Sequence, residues 1–373
     1  MVYLRNTQAG FTFFKRREII GTVHRIYTTM ESILNLEALL KQAMEADVTA
    51  LRQFLTTNPG QPLVATGSGG AESVADFAAL LYGARGGIAT AVSPYTLNSY
   101  SDEALKTSKL LLVSKGGHNN DIVFAAKRGL AVNPDGTASF TLHLGDRNEV
   151  RKLFDKAGSA QAFDIPGLSV HDAFISTQTP VMYFALLCRA FDPDVDLAKY
   201  RTAPKVPYRL ERNDGTPLTP EDFKEVRSFV VLHGSWGRPT AANLEGKLVE
   251  SGLCTACVVD FRNYCHGRFI FTSAHLEDSA VVMFVSPREK DIAARTRKFL
   301  PASAKLVLIE TEADAPEASL DLLIRSSAFY FDLCGVTGTN WVSPKNPGKI
   351  DKRQPMWVPF MARLKQDGPL KLE

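Results

Sequence analysis

Short apolar runs alternate with helical patterns along this chain, four runs on either side of a proline-rich stretch, and few folds satisfy such an order. The runs fall near residues 62–66, 88–93, 109–114 and 139–144, and again near 228–233, 254–259, 280–285 and 305–310. A short continuous apolar run suits a strand buried on both faces, and a helix between runs supplies the crossover that parallel pairing requires. Between the first two runs Val74, Phe77, Ala78 and Leu81 recur at three- and four-residue spacing, one face of such a helix. The expected fold class is therefore α/β, with two units that each carry a parallel sheet flanked by helices. At 373 residues the chain also exceeds the size at which a single core stops growing.

The proline-rich stretch, residues 192–225, contains Pro193, Pro204, Pro207, Pro217 and Pro220. It reads as a linker between a first unit over 30–191 and a second over 226–373. Residues 1–29 stand apart, with Arg5, Lys15, Arg16, Arg17 and Arg25 against one acid, Glu18. Two readings stay open there, a basic N-terminal arm or a translation start at Met30. Beyond Met30, the residues Ile33, Leu34, Leu36, Leu39, Leu40 and Met44 give an amphipathic helix. Hydrophobic residues make up 45% and charged residues 22%, with a net charge of +3, which argues against a nucleic-acid or membrane surface as the partner. With no apolar run of membrane-spanning length and no signal-peptide pattern, a cytoplasmic protein is expected.

Five scattered cysteines fit a reducing compartment better than a disulfide framework. Cys254, Cys257, Cys265 and His266 have the composition of a tetrahedral zinc set. Cys254 and Cys257 nevertheless sit in an apolar stretch, where cysteine behaves as a small hydrophobe. No metal and no cofactor is the expectation.

Reactive side chains concentrate in the second unit. In Asn243-Leu-Glu-Gly-Lys247-Leu-Val-Glu250 a lysine and a glutamate three residues apart share one helix face, and His266 follows in the next loop. A carboxylate, an ammonium and an imidazole so spaced form an acid–base inventory, although Lys247 and Glu250 alone also fit an exposed helix pair. In the first unit, Gly67, Gly69 and Gly70 let backbone approach a ligand at the carboxyl end of a strand, where open parallel sheets bind. Ser114-Lys-Gly-Gly-His-Asn-Asn-Asp121 holds the equivalent place after a later strand. Trp236, just past the run ending in His233, reads as a domain-interface residue rather than a stacking platform for a ligand.

Together these segments resemble the isomerase half of glucosamine-6-phosphate synthase, two SIS (sugar isomerase) domains in tandem, from about Gln61 to about Lys349. That family's A-L-E-G-x-x-K-x-x-E helix and E-L-K-H-G-P loop correspond to 243–250 and to Asn263-Tyr-Cys-His-Gly-Arg268. Here the lysine directly follows Gly246, two residues earlier than in the family, and Arg268 replaces proline. The family's C-G-T-S turn corresponds to Thr66-Gly-Ser-Gly-Gly-Ala71, and its S-Q-S-G-E-T-x-D phosphate loop to 114–121. Its S-T-K helix start matches Ser176, Thr177 and Gln178, and its D-x-D-x-P-R-N-L-A-K segment matches 340–349. Several neutral phosphate donors are replaced: Lys115 stands for the glutamine, Gly116 for the second serine, Asn119 for the threonine and Gly69 for the serine of the turn. Lys115 as a point charge and the N–H groups of Gly116 and Gly117 are the substitutes.

The resemblance implies two tandem SIS domains, each a flavodoxin-like three-layer unit, and an enzyme that moves a proton between C1 and C2 of a sugar or aminosugar, most simply a phosphorylated one. In that reading Glu250 is the base, and His266 of the partner subunit of a homodimer with shared active sites opens the ring. Lys247 and Lys349 stabilise the enediolate oxygen, or Lys349 meets a carbonyl as an amine. Ligand binding falls to Gly67, Ser68, Gly69, Gly70, Ser114, Lys115, Gly116, Gly117, Asn119, Ser176, Thr177, Gln178 and Arg268. Isomerase, deaminase and deglycase chemistry remain open, and a non-catalytic SIS module that senses a sugar-like metabolite is the alternative. The chain opens Met-Val-Tyr-Leu, without an N-terminal cysteine nucleophile, so glutamine-dependent amination is not expected.

Overall fold

The computed structural model describes residues 34–142, 148–158, 160–165, 170, 172 and 174–341. Strands β1 Leu63–Gly67, β2 Ala89–Val92, β3 Lys109–Val113, β4 Thr137–Thr141 and β5 Gln161–Asp164 form one sheet in the order β2-β1-β3-β4-β5, every pair parallel. Strands β6 Arg209–Arg212, β7 Ser228–His233, β8 Thr255–Asp260, β9 Ser279–Val285 and β10 Lys305–Glu310 form a second, in the order β6-β10-β9-β7-β8. Only β6 runs antiparallel there, against β10. In both sheets the parallel run starts at an inner strand, adds the next strand on one side and the following one on the other. That reversal opens a crevice at the carboxyl ends of β1 and β3, and another at those of β7 and β9.

The described helices of eight residues or more are α1 Leu36–Glu45, α2 Thr49–Thr56, α3 Gly70–Ala84, α4 Asn120–Val132, α5 Glu149–Ala157, α6 Gln178–Phe191, α7 Arg238–Glu250, α8 Lys290–Arg297 and α9 Glu317–Thr337. Between the two sheets α3, α6, α7 and α9 pack on one another. Their apolar faces merge both units into one core that contains Ala65 and Leu111 from the first sheet, Val231 and Phe284 from the second, and Phe184, Leu248 and Phe329 from the helices. Phe77 stacks on Phe184 with ring centroids 4.4 Å apart. On the far side of the first sheet, α4 and α5 cover Leu110 and Leu112 with Ile122 and Phe154, and on the far side of the second Ala293 of α8 joins Val281 and Met283. Burial on both faces explains the unbroken apolar runs of β1, β3 and β9. No described helix is long and apolar enough to cross a membrane.

β7 and β10 have the expected bounds, and β4 begins two residues before residue 139. β5 and β6 lie outside the expected runs. In β5 only Phe163 is buried, and β6, Arg-Leu-Glu-Arg, has no buried residue. Both are edge strands, where polar and charged side chains guard the open edge and erase the apolar signal. β6 also places part of the 192–225 stretch, expected as a linker, inside the second sheet, in register from Lys305↔Arg212 to Leu308↔Arg209. In α1, Leu36, Leu39 and Leu40 are buried, whereas Met44 is 37% exposed beyond the end of the covered face. Ile33 lies outside the described residues.

Because one core serves both units, Phe184→Ala should cost about 3–5 kcal/mol and lower the stability of the two together. A single denaturant transition shifted to lower midpoint is the expected result, and two separate transitions would contradict the shared core.

Candidate active site

β1 ends at Gly67, where a Cβ would stand 2.5 Å from the Ala71 carbonyl oxygen, so only glycine lets α3 start this close to the strand. α3 and α7 then lie antiparallel, tied by Asn243 Nδ2 donating to Ser73 Oγ at 3.2 Å and by Arg238 to Asp76 at 3.1 Å. This pairing carries the end of α7 to the start of α3. Glu250, the last residue of α7, places Oε1 3.8 Å from where a Cβ on Gly69 would be. The carboxylate of the second unit thus faces the glycine turn of the first.

Next to that turn a cavity of about 300 Å³ opens in the crevice between β1 and β3. Ser68 and Gly70 line it from the turn, Ser114, Lys115, Gly116 and Asn119 from the loop after β3, and Ser176 and Thr179 from the start of α6. The loop is held from within: Ser114 Oγ accepts from Gly117 N at 3.2 Å, and Asn119 Oδ1 accepts from Asp121 N at 2.8 Å, capping α4. Gly117 has φ +60°, and a Cβ there would collide with Asn148 Oδ1. Ser68 Oγ is buried without a hydrogen-bond partner among the described residues, which leaves a hydroxyl for a ligand.

The most heavily bonded group in the cavity is Asp172, whose side chain is 4% exposed. Its Oδ1 accepts from Thr177 N at 2.8 Å and Gln178 N at 2.7 Å, and its Oδ2 from Ser176 Oγ at 2.7 Å and Thr179 N at 3.2 Å. Lys115 Nζ lies 3.4 Å from Oδ2. The carboxylate therefore fills the anion site at the N-terminus of α6. Burial by itself would raise its pKa, but Thr179, the Lys115 charge, Thr177 and Ser176 prevail and hold it below the usual carboxylate value.

Lys247 turns inward and is 4% exposed, its Nζ donating to Ser327 Oγ of α9 at 3.1 Å. Burial lowers its pKa to about 8, against the opposing pull of Asp172 and Cys334. On the same face of α9, burial raises the Tyr330 phenol, which feels the charge of Glu250, and lifts the Cys334 thiol to about 12. The structure thus gathers Lys247, Glu250 and Asp172 around the turn, with Ser327, Tyr330 and Cys334 behind them.

His266 and Arg268 sit elsewhere. Both are exposed in the turn after β8, neither lines the cavity, and Arg268 Nη1 lies 3.6 Å from Cys257 Sγ. Lys349 lies outside the described residues. Among the described residues, Cys254, Cys257, Cys265 and His266 included, no group of three His, Cys, Asp or Glu side chains is placed to hold a metal ion. Trp236, only 6% exposed, belongs to the shared core.

Sequence reasoning missed Asp172, His118 and Ser327. An acid shortly before a helix start is an N-terminal signal, but Asp172 stands six residues before Gln178, beyond the usual cap position. His118 lines the cavity, with Nδ1 3.2 Å from the Gly116 carbonyl. Ser327, Tyr330 and Cys334 recur at helical spacing and could have been read as a polar stripe on an apolar helix.

No protein-family model matches the sequence, and no curated protein does. Solved structures match over most of their length. A glucosamine-6-phosphate deaminase from Thermotoga maritima aligns with 85% of this chain and 97% of its own, at 15% identity and TM-score 0.64. A tagatose-6-phosphate ketose/aldose isomerase from Escherichia coli aligns with 86% of this chain and 92% of its own, at 17% identity and TM-score 0.61. The C-terminal domain of glucosamine-fructose-6-phosphate aminotransferase from Francisella tularensis covers 84% of this chain and 97% of its own, at 12% identity and TM-score 0.57. The fold is that of two tandem SIS domains. At these identities the likeness is one of fold, and in it α3 and α7 form the seam between the SIS domains.

Asp172 gives the site a measurable signature. Its depressed pKa means that its stabilisation is complete above the ordinary carboxylate pKa and is lost as pH falls through the lower folded value. Asp172→Asn, which removes the charge that those donors and Lys115 hold, should cost about 1.5–3 kcal/mol at neutral pH and flatten the acid limb of the stability curve. Denaturation at pH 7 and pH 3 checks both, and an unchanged acid limb would contradict the assignment.

Proposed function

We propose that the chain is an enzyme acting on a sugar or aminosugar, with Glu250 moving a proton between C1 and C2. The observation that supports this most directly is the placement of Glu250 of the second SIS domain against Gly69 of the first, beside a cavity that holds the unpartnered Ser68 hydroxyl. With the ring open, the Glu250 carboxylate takes the proton from one carbon as the carbonyl becomes an enediolate, a proton passes from the neighbouring hydroxyl to the former carbonyl oxygen, and Glu250 returns its proton to the other carbon as the new carbonyl forms. Lys247, whose pKa burial lowers to about 8, is assigned to the enediolate oxygen, for which its Nζ would turn from Ser327 toward the cavity. Lys349 shares that task. Lys115, 42% exposed, offers a point charge to an anionic substituent of the sugar. The fold's occurrence in a deaminase and an aldose–ketose isomerase accords with such chemistry.

Incubation with sugar and aminosugar phosphates in D₂O tests the reading, since C1–C2 proton transfer introduces carbon-bound deuterium visible by NMR. Glu250→Gln should lower exchange by about 10²- to 10⁴-fold while ligand-induced thermal stabilisation persists. Undiminished exchange in that variant would refute Glu250 as the base. Ligand binding without exchange in the wild-type protein would favour the sensor reading.

The same proposal includes a homodimer in which His266 of the partner subunit completes the site. Support comes from the helix that follows His266, Phe269–Ala274, where Phe269, Ile270 and Phe271 are 45%, 62% and 43% exposed in the single chain. Phe271→Asp should convert a dimer to a monomer in sedimentation analysis and remove activity without unfolding the protein. A wild-type monomer would overturn this part.

A further inference from the structure

The antiparallel pairing of α3 and α7 has two ends. At one, Glu250 meets the turn after β1. At the other, Ala84 and Arg85 at the end of α3 meet Ser235, Trp236 and Arg238 in the turn after β7. A cleft of about 790 Å³ lies there, in the second sheet's own crevice, with Arg288 entering from the loop after β9. Ligands of open α/β sheets bind at this topological position, and the volume falls within the range of small-molecule sites.

Three arginines, Arg85, Arg238 and Arg288, line the cleft, with two aspartates, Asp76 and Asp192. Arg85 lies over the Phe191 ring and donates to the Phe191 carbonyl, and it has no carboxylate at ion-pair distance among the described residues. Arg238 pairs with Asp76 at 3.1 Å, and Arg288 with Asp314 at 2.7 Å. In the latter pair both side chains are more than half exposed, 57% and 58%, so the pair is weak enough to exchange for a ligand oxygen. Planar guanidiniums suit the bidentate recognition of phosphate oxygens.

We infer that this cleft is a second binding site, for a small molecule carrying a phosphate group, held by Arg288, Arg238 and Arg85. It is separate from the cavity beside Glu250, and its occupancy does not depend on the chemistry proposed there. By bridging α3 of the first domain and the β7 and β9 loops of the second, such a ligand would bear on the seam that positions Glu250.

Inorganic phosphate is the probe. The melting temperature of the full chain is followed from zero to ten millimolar phosphate against sodium chloride of equal ionic strength, in the wild-type protein and in Arg288→Gln, Arg238→Gln and Lys115→Met. The expected result is a phosphate-dependent rise that weakens by roughly tenfold in apparent affinity in each arginine variant and survives in Lys115→Met. Arg288→Gln breaks only an exposed pair, so it keeps the test valid if Arg238→Gln, which loses Asp76, fails to fold. A rise lost only in Lys115→Met would assign the anion to the first cavity and overturn the proposal. So would a rise equal in all four proteins, or none in the wild type.

Discussion

The antiparallel contact between α3 and α7 is the constraint on which the rest of the molecule depends. Neither helix carries a complete site. α3 brings only a glycine turn and its own N-terminus, and α7 brings only a lysine and a glutamate near its end. Asn243 on Ser73 and Arg238 on Asp76 fix the slide between the helices, and that slide sets the distance from Glu250 to Gly69. A displacement of one helical turn, about 5.4 Å, would carry the carboxylate past the turn altogether.

Around that contact the electrostatics run against ordinary burial preferences. Lys247 and Asp172 are both withdrawn from water, and each is tolerated because its surroundings are fixed: one hydroxyl and a distant carboxylate for the lysine, a ring of N–H donors for the aspartate. Breaking a buried charge away from its partners is costly even where the intact pair adds little stability. Such an arrangement is retained for orientation more than for stability, which fits groups that must hold a charge at a set place.

Much of the architecture was legible. Runs such as 228–233 and 305–310 announce their strands because both faces are buried, and the glycines after β1 announce a turn because a Cβ at Gly67 would strike the next helix. Charged β6 was not legible, since an edge strand takes its place from its neighbour's backbone and not from its own side chains. At the site, the spacing of Lys247 and Glu250 foretold a common helix. It did not foretell that Lys247 would turn away to Ser327, a residue 80 positions later. Asp172 was hidden for a similar reason, because part of its environment, Lys115, lies 57 positions earlier. Pattern along the chain reports which face is apolar, whereas partnership across the core is decided by packing.

The core runs through both units without a break. To part them would uncover apolar side chains of that core such as Leu248 and Phe329, at about 1.5–3 kcal/mol for each one fully exposed. That cost weighs against opening and closing of the whole molecule as a way to admit a ligand. A ligand of such a cavity would enter through loops at the rim, and what the cavity accepts would then be set by a fixed mould rather than by a clamp that adjusts to its guest.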